Sequence, residues 1–174
     1  MNDDFDVTAL LPKKKKKINS RTKGNTFERK VAKILNDRFN TTDFCRSPGS
    51  GAFATTHKLP EHIQVYGDLI TPKDFKFIIE CKKGYNKEGI CDAFNPKSGL
   101  HKMLMQAMRD GRSAGKPFML IIGQDRKEPI VITNGSRFGY VGDYLEGDFG
   151  LGVVLIAPLK EYLASPDHLF VDTD

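Results

Sequence analysis

The segment Phe77-Ile78-Ile79-Glu80-Cys81-Lys82 is an apolar strand that ends in charge. Successive side chains of a strand point to opposite faces. Phe77, Ile79 and Cys81 therefore share one face, and Ile78, Glu80 and Lys82 share the other. A carboxylate and an ammonium thus project side by side, which a purely structural strand seldom arranges. The preceding strand, Gln64 to Ile70, carries Asp68 on the face of Tyr66 and Ile70. Thr71-Pro72-Lys73-Asp74 reads as the turn between that strand and Lys76 to Lys83. Pairing of the two as a hairpin would let Asp68 and Glu80 converge.

The elements around this pair set the class. Asn25 is a good cap with Glu28 three residues on, so a capping box predicts a helix over 26–39. Phe27, Val31, Ile34 and Leu35 recur along it at helical spacing. Residues 46–51, rich in Gly, Ser and Pro, predict a turn, and 52–61 a loop. A second helix is expected over 98–113, with Leu100, Met103, Leu104 and Ala107 as its apolar stripe and Lys102, Gln106, Arg109 and Ser113 on another face. Strands are expected at 118–123, 129–133 and 151–157, and a short helix from Leu159. Helix, strands, helix, strands is an α/β or α+β order, with a central mixed β-sheet flanked by helices.

The chain has 174 residues, enough for one domain that buries a core without staples. No run approaches the roughly 20 apolar residues of a membrane span. Three cysteines, Cys45, Cys81 and Cys91, are odd in number and lack metal-ligand spacing, which points to a reducing cytosol. His57, His62, His101 and His168 are scattered and show no such spacing either. The net charge of +5 is unevenly spread. Residues 21–142 hold 21 basic and 12 acidic residues, a net +9, whereas 143–174 hold one Lys and seven acids. A basic middle suits a polyanion, most simply nucleic acid, and equally reads as a solvated surface. Residues 1–20 read as a disordered basic arm, because Lys13, Lys14, Lys15, Lys16 and Lys17 repel one another and nothing periodic surrounds them. Residues 21–174 then form a single domain.

Two carboxylates in one place repel unless a cation sits between them. A hard oxygen site suits Mg²⁺, which takes one or two carboxylates and keeps several waters. A lysine beside it can orient a water or stabilise charge on a phosphate, the chemistry of phosphodiester hydrolysis. On spacing alone, Glu80 and Lys82 read equally as a surface ion pair worth little. Glu28 heads the row Glu28, Ala32, Leu35, Phe39, otherwise apolar, as a cap, a buried site residue or both.

Four motifs in order make the resemblance specific. Lys23-Gly24-Asn25-Thr26-Phe27-Glu28-Arg29 resembles the opening helix of archaeal-type Holliday-junction resolvases, within the PD-(D/E)xK nuclease superfamily. Arg46-Ser47-Pro48-Gly49-Ser50-Gly51 is similar to their Arg/Ser/Gly-rich loop. Gly67-Asp68-Leu69-Ile70 and Glu80-Cys81-Lys82 resemble their Asp and Glu-x-Lys motifs. The similarity spans about residues 21–123. It implies a restriction-endonuclease-like core and a Mg²⁺-dependent endonuclease, with Mn²⁺ able to substitute. By the family's pattern Glu28, Asp68, Glu80 and the Cys81 main-chain carbonyl would serve the metal, and Lys82 the attacking water. Ser50 would approach the scissile strand, and Gln106 matches a polar position near such sites. Arg21, Lys23, Arg29, Arg46 and Ser47, with the arm lysines, are candidate DNA contacts. Gly67 stands where the motif's name has proline, a replacement expected to be harmless. The stretches 51–67 and 84–96 are longer than in the short resolvases.

The resulting expectation is a nuclease that cuts branched DNA, four-way junctions above all, as a homodimer in the cytoplasm (the host's, for a phage protein). A two-fold junction suits a two-fold dimer with two sites. Phe138, Tyr140, Tyr144 and Leu145 are candidates for the dimer surface. One alternative is a restriction-like or repair nuclease of the same chemistry on other DNA. The other is a catalytically silent DNA-binding module, against which the intact set Glu28, Asp68, Glu80 and Lys82 argues.

Overall fold

Six consecutive buried residues, Phe118 to Gly123, place one strand inside a sheet covered on both faces. The computed structural model describes residues 19–47, 66–135, 140, 142–149 and 152–172. Lys13 to Lys17, Ser50, His57, His62 and Phe138 lie outside the described residues.

Helix α1 spans Ser20–Phe39. It begins a turn and a half before the expected start, because the Asn19 side chain accepts from Arg21 N and caps it there. Asn25 is therefore a helix-interior residue, and Glu28 is no capping partner. The helix ends at Asn40, which adopts the left-handed conformation (φ 49°). Strand β1 is Cys45–Arg46 and β2 is Leu69–Ile70, paired antiparallel as a two-stranded ribbon. Strand β3 is Ile78–Lys83. A 3₁₀ turn at Ile90–Phe94 and helix α2, Gly99–Ala114, lead to β4, Phe118–Gly123. Ser98 caps α2 by accepting from His101 N. Strands β5 (Ile130–Thr133), β6 (Leu145–Asp148) and β7 (Val153–Pro158) follow, then α3 (Leu159–Leu163) and a 3₁₀ turn at Asp167–Leu169.

The main sheet has the order β3-β4-β5-β7-β6. Strands β3 and β4 run parallel across the α2 connection, and every other pair is antiparallel. The alternation read from β3 holds. Phe77, Ile79 and Cys81 join the core under α1 and α3, with Phe27, Val31, Leu35, Met119, Ile121 and Tyr162. Ile78 joins the opposite core under α2, with Leu100, Met103, Leu104, Leu120 and Ile132. Helix α1 sits close on the end of β4 because residue 123 is glycine: a Cβ there would lie 2.5 Å from the Phe27 ring. The expected hairpin between the Asp68 strand and β3 is replaced by a closer and more local contact, described below. Among the described residues no helix is long and apolar enough to cross a membrane.

Candidate active site

Strand β3 is an edge of the main sheet, so one side of its backbone is free to bond elsewhere. Asp68 takes it up twice. Its amide donates to Ile79 O at 2.7 Å. Its carboxylate Oδ2 accepts from Cys81 N at 2.8 Å. These two bonds straddle Glu80 and fix Asp68 beside it without any strand ladder. The approach depends on Gly67. That residue has φ +79°, which proline cannot adopt, and a Cβ would lie 2.4 Å from Ile79 O. The glycine is therefore a geometric requirement of this turn, at a position where the motif's proline could not stand. Ser47 braces the same turn from β1: its amide donates to Asp68 O at 2.9 Å, and its buried hydroxyl to Gly67 O.

Glu80 and Lys82 project toward α2, and Lys82 Nζ donates to Glu80 Oε1. The ammonium also lies 4.0 Å from Asp68 Oδ2. Glu28, buried on α1, faces the same cleft and is ion-paired with Arg46 Nε from β1. The cleft holds about 400 Å³. Arg21 and Asn25 line its α1 wall, and Gln106 and Asp110 its α2 wall. Arg29 is exposed on α1 and does not line it. Lys23 lines a neighbouring cleft instead. The Cys81 thiol points into the core under α1, and burial pushes it well above its ordinary value, so it is no ligand. Asp110 escaped the sequence reading. It lies one turn beyond Gln106, the i+4 neighbour on the same helix row, and that spacing was the available signal.

The electrostatics follow from crowding. Burial raises Asp68, against the opposing pull of the Cys81 N–H and Lys82. Burial and then the charge of Asp68 push Glu80 up to about 6. Burial works against the Lys82 ammonium, yet Glu80 and Asp68 outweigh it and hold the group above its ordinary value. Two carboxylates forced together in this way fit a hard divalent cation, whose charge would relieve their repulsion. Among the described residues no three or more His, Cys, Asp and Glu side chains are grouped to hold an ion by themselves. Two carboxylates with waters are the donor set that Mg²⁺ commonly uses.

Comparison with known proteins gives a family. The family model described as phage putative PDDEXK endonuclease matches residues 19–141. That span contains α1, the Asp68 turn, Glu80-Cys81-Lys82 and α2. No curated protein and no solved structure matches the chain. The match supports the PD-(D/E)xK superfamily and not the archaeal-type resolvases in particular. The mixed sheet with helices on both faces is consistent with the restriction-endonuclease-like fold of such enzymes. With Asp68, Glu80 and Lys82 inside the matched span, the chain belongs to the phage putative PDDEXK endonuclease family.

Proposed function

We propose that the protein is a divalent-metal-dependent endodeoxyribonuclease of branched DNA, cutting four-way junctions by paired nicks as a homodimer. The observation that carries the chemistry is the docking of Asp68 on β3, which sets two buried carboxylates and one lysine at a single cleft. Asp68 and Glu80 would hold the ion, with the Cys81 main-chain carbonyl and Glu28 contributing to its surroundings. Mg²⁺, or Mn²⁺ in its place, supplies Lewis-acid polarisation of the scissile phosphate when bound.

The chain's own groups do the rest. Lys82, held protonated between two acids, orients the attacking water and neutralises charge that develops on the phosphate. Arg46, held by Glu28, and Arg21 receive phosphates at the mouth, and Gln106 offers an amide to the nucleophile or the sugar. Ser50 and the arm lysines add contacts from the flanking segments.

Support for a branched substrate comes from the four resolvase-like motifs. Residues 21–174 act as one nuclease domain, and the free thiols Cys45, Cys81 and Cys91 suit a reducing host cytoplasm. A restriction-like enzyme would share every group named above and differ only in DNA. The test is incubation with Mg²⁺ and labelled four-way junction, linear duplex and single strand at equal concentration. Preferential symmetric cutting of the junction is expected. Equal or faster cutting of duplex moves the assignment to the restriction-like reading, and binding without cleavage in any divalent metal moves it to the silent module.

A further inference from the structure

A second cleft lies on the other side of the first turns of α1. Positions 21, 25 and 28 of the helix face the carboxylates. Positions 23, 26 and 30 lie on an adjacent face and line a cleft of about 350 Å³ against the β4–β5 turn. That is the size of a ligand pocket. Its charge is one-sided. Lys23, Lys30, Lys83 and Lys127 line it, with Asp125 as the one acid. Lys83 is on β3 directly after Lys82 but on the opposite face, so the two lysines point into different clefts. Asp125 is committed to Lys83 at 2.9 Å, and Asn86 also donates to it. Lys23, Lys30 and Lys127 form no ion pair with described residues.

Lys23, Lys30 and Lys127 stand beside the Lys83–Asp125 pair, so the cleft carries a net positive charge. A fold gains nothing from such an arrangement, and a polyanion does. Thr26 lines the same wall with its hydroxyl donating to Thr22 O, and the Phe27 ring lies under the Lys83 ammonium.

We propose that this cleft is a second phosphate-binding site, in which Lys23, Lys30, Lys83 and Lys127 receive the backbone of the DNA whose scissile phosphate lies at Asp68 and Glu80. The inference rests on the nuclease reading for the identity of the polyanion. On this arrangement the first two turns of α1 form a ridge between the cut site and a contact a few nucleotides away. The cleft's lysines position the strand and take no part in the bond that breaks.

The test is a Lys30→Gln, Lys127→Gln double variant of the full chain. Its control is Lys33→Gln, Lys73→Gln, which removes the same charge elsewhere. Binding to labelled junction and duplex is measured in EDTA over a range of salt, and cleavage in Mg²⁺ at saturating DNA. The cleft variant is expected to weaken binding about tenfold near physiological salt and to lower the log–log salt slope by about 1–2 units. Its turnover at saturating DNA should stay at the wild-type level, and Lys30→Arg, Lys127→Arg should restore the slope. The control should change the slope by much less. If the cleft variant and the control behave alike, the cleft carries no phosphate and the proposal falls, whatever the cleavage result. If wild-type protein cuts no DNA while the cleft variant still lowers the slope, the nuclease reading fails and the binding cleft stands.

Discussion

The two edges of the main sheet are finished in opposite ways. At the β3 edge, a single residue supplies both an amide and a carboxylate to the open backbone, and the cost is two buried acids side by side. At the β6 edge, Leu145, Glu146 and Asp148 stand exposed, with charge where a foreign strand would dock. A strand edge can thus be closed by side chains that repel newcomers or by a residue that docks on the open backbone. The first use is tolerant of sequence, and the second depends on a few atoms.

The largest expected effect is at the β3 edge. Glu80→Gln keeps the shape of β3 and removes a charge from the site. Cleavage is expected to fall by about 10³-fold, equivalent to roughly 4 kcal/mol of transition-state stabilisation, while junction binding stays near wild type. Full-rate cleavage by this variant with Mg²⁺ would show that the chemistry lies elsewhere. Replacing Mg²⁺ by Ca²⁺ in the wild type should support binding without cleavage, because Ca²⁺ takes longer and looser coordination.

Next comes the turn that carries Asp68. Gly67→Ala forces a side chain into a left-handed conformation and against Ile79 O. Together these should cost about 3 kcal/mol in urea unfolding. The Asp68 carboxylate should leave Cys81 N, and cleavage should fall about 100-fold. A variant with native stability and activity would mean that the turn relaxes freely and that Asp68 is not held as described.

These two residues also mark what the sequence disclosed. The alternation Phe77 to Lys82 was readable because period-2 patterning is a local property of one strand, and the apolar stripe of α2 was readable for the same reason at helical period. The convergence of Asp68 and Glu80 was anticipated, but through a hairpin. The contact in fact uses a side chain in place of a ladder, and no pattern of apolar residues encodes that. The requirement for Gly67 comes from Ile79, twelve residues away, so no local pattern signals it. The start of α1 was misplaced because Asn25 and Glu28 mimic a capping box inside a helix already capped by Asn19. Strand β6 carries no signal in the sequence because an exposed edge strand need not alternate. Its Tyr144-Leu145-Glu146-Gly147-Asp148 run carries no core face to betray it.

A smaller effect tests the cost of the crowded edge through pH. The folded protein holds Glu80 at about 6, above its ordinary value of 4.5. The folded state therefore binds more protons than the unfolded one across that window. Stability from this group is full below about 4.5 and is lost as pH rises through about 6. The loss amounts to about 2 kcal/mol at neutral pH without metal. Denaturant unfolding of wild type and Glu80→Gln in EDTA should give curves that diverge as pH rises from 4.5 to 7, with the variant the more stable at 7. Parallel curves would mean that Glu80 is not strained by Asp68 and burial. Divalent metal should narrow the gap by stabilising the wild type.

The smallest effect on chemistry belongs to the β6 edge. Tyr140 packs on Tyr162 and edge-on against Tyr144, while Tyr144 and Leu145 are about half exposed. Antiparallel pairing of two β6 strands would bring Glu146 and Asp148 of both copies together, so a continuous ladder across a dimer is disfavoured. Contact through the Tyr144 and Leu145 side chains avoids that repulsion. Leu145→Asp should leave the rate of a single nick within about twofold, because the edge lies across the sheet from the carboxylates. It should weaken self-association and, on a cruciform plasmid, shift product from linear DNA toward nicked circles, since the second cut then loses its high effective concentration. Sedimentation of wild type and variant with DNA present reads the assembly directly. If the variant stays dimeric and gives linear product, the dimer is built elsewhere. If the wild type is a monomer that yields nicked circles, paired cutting is abandoned and the β6 edge is protected by charge alone.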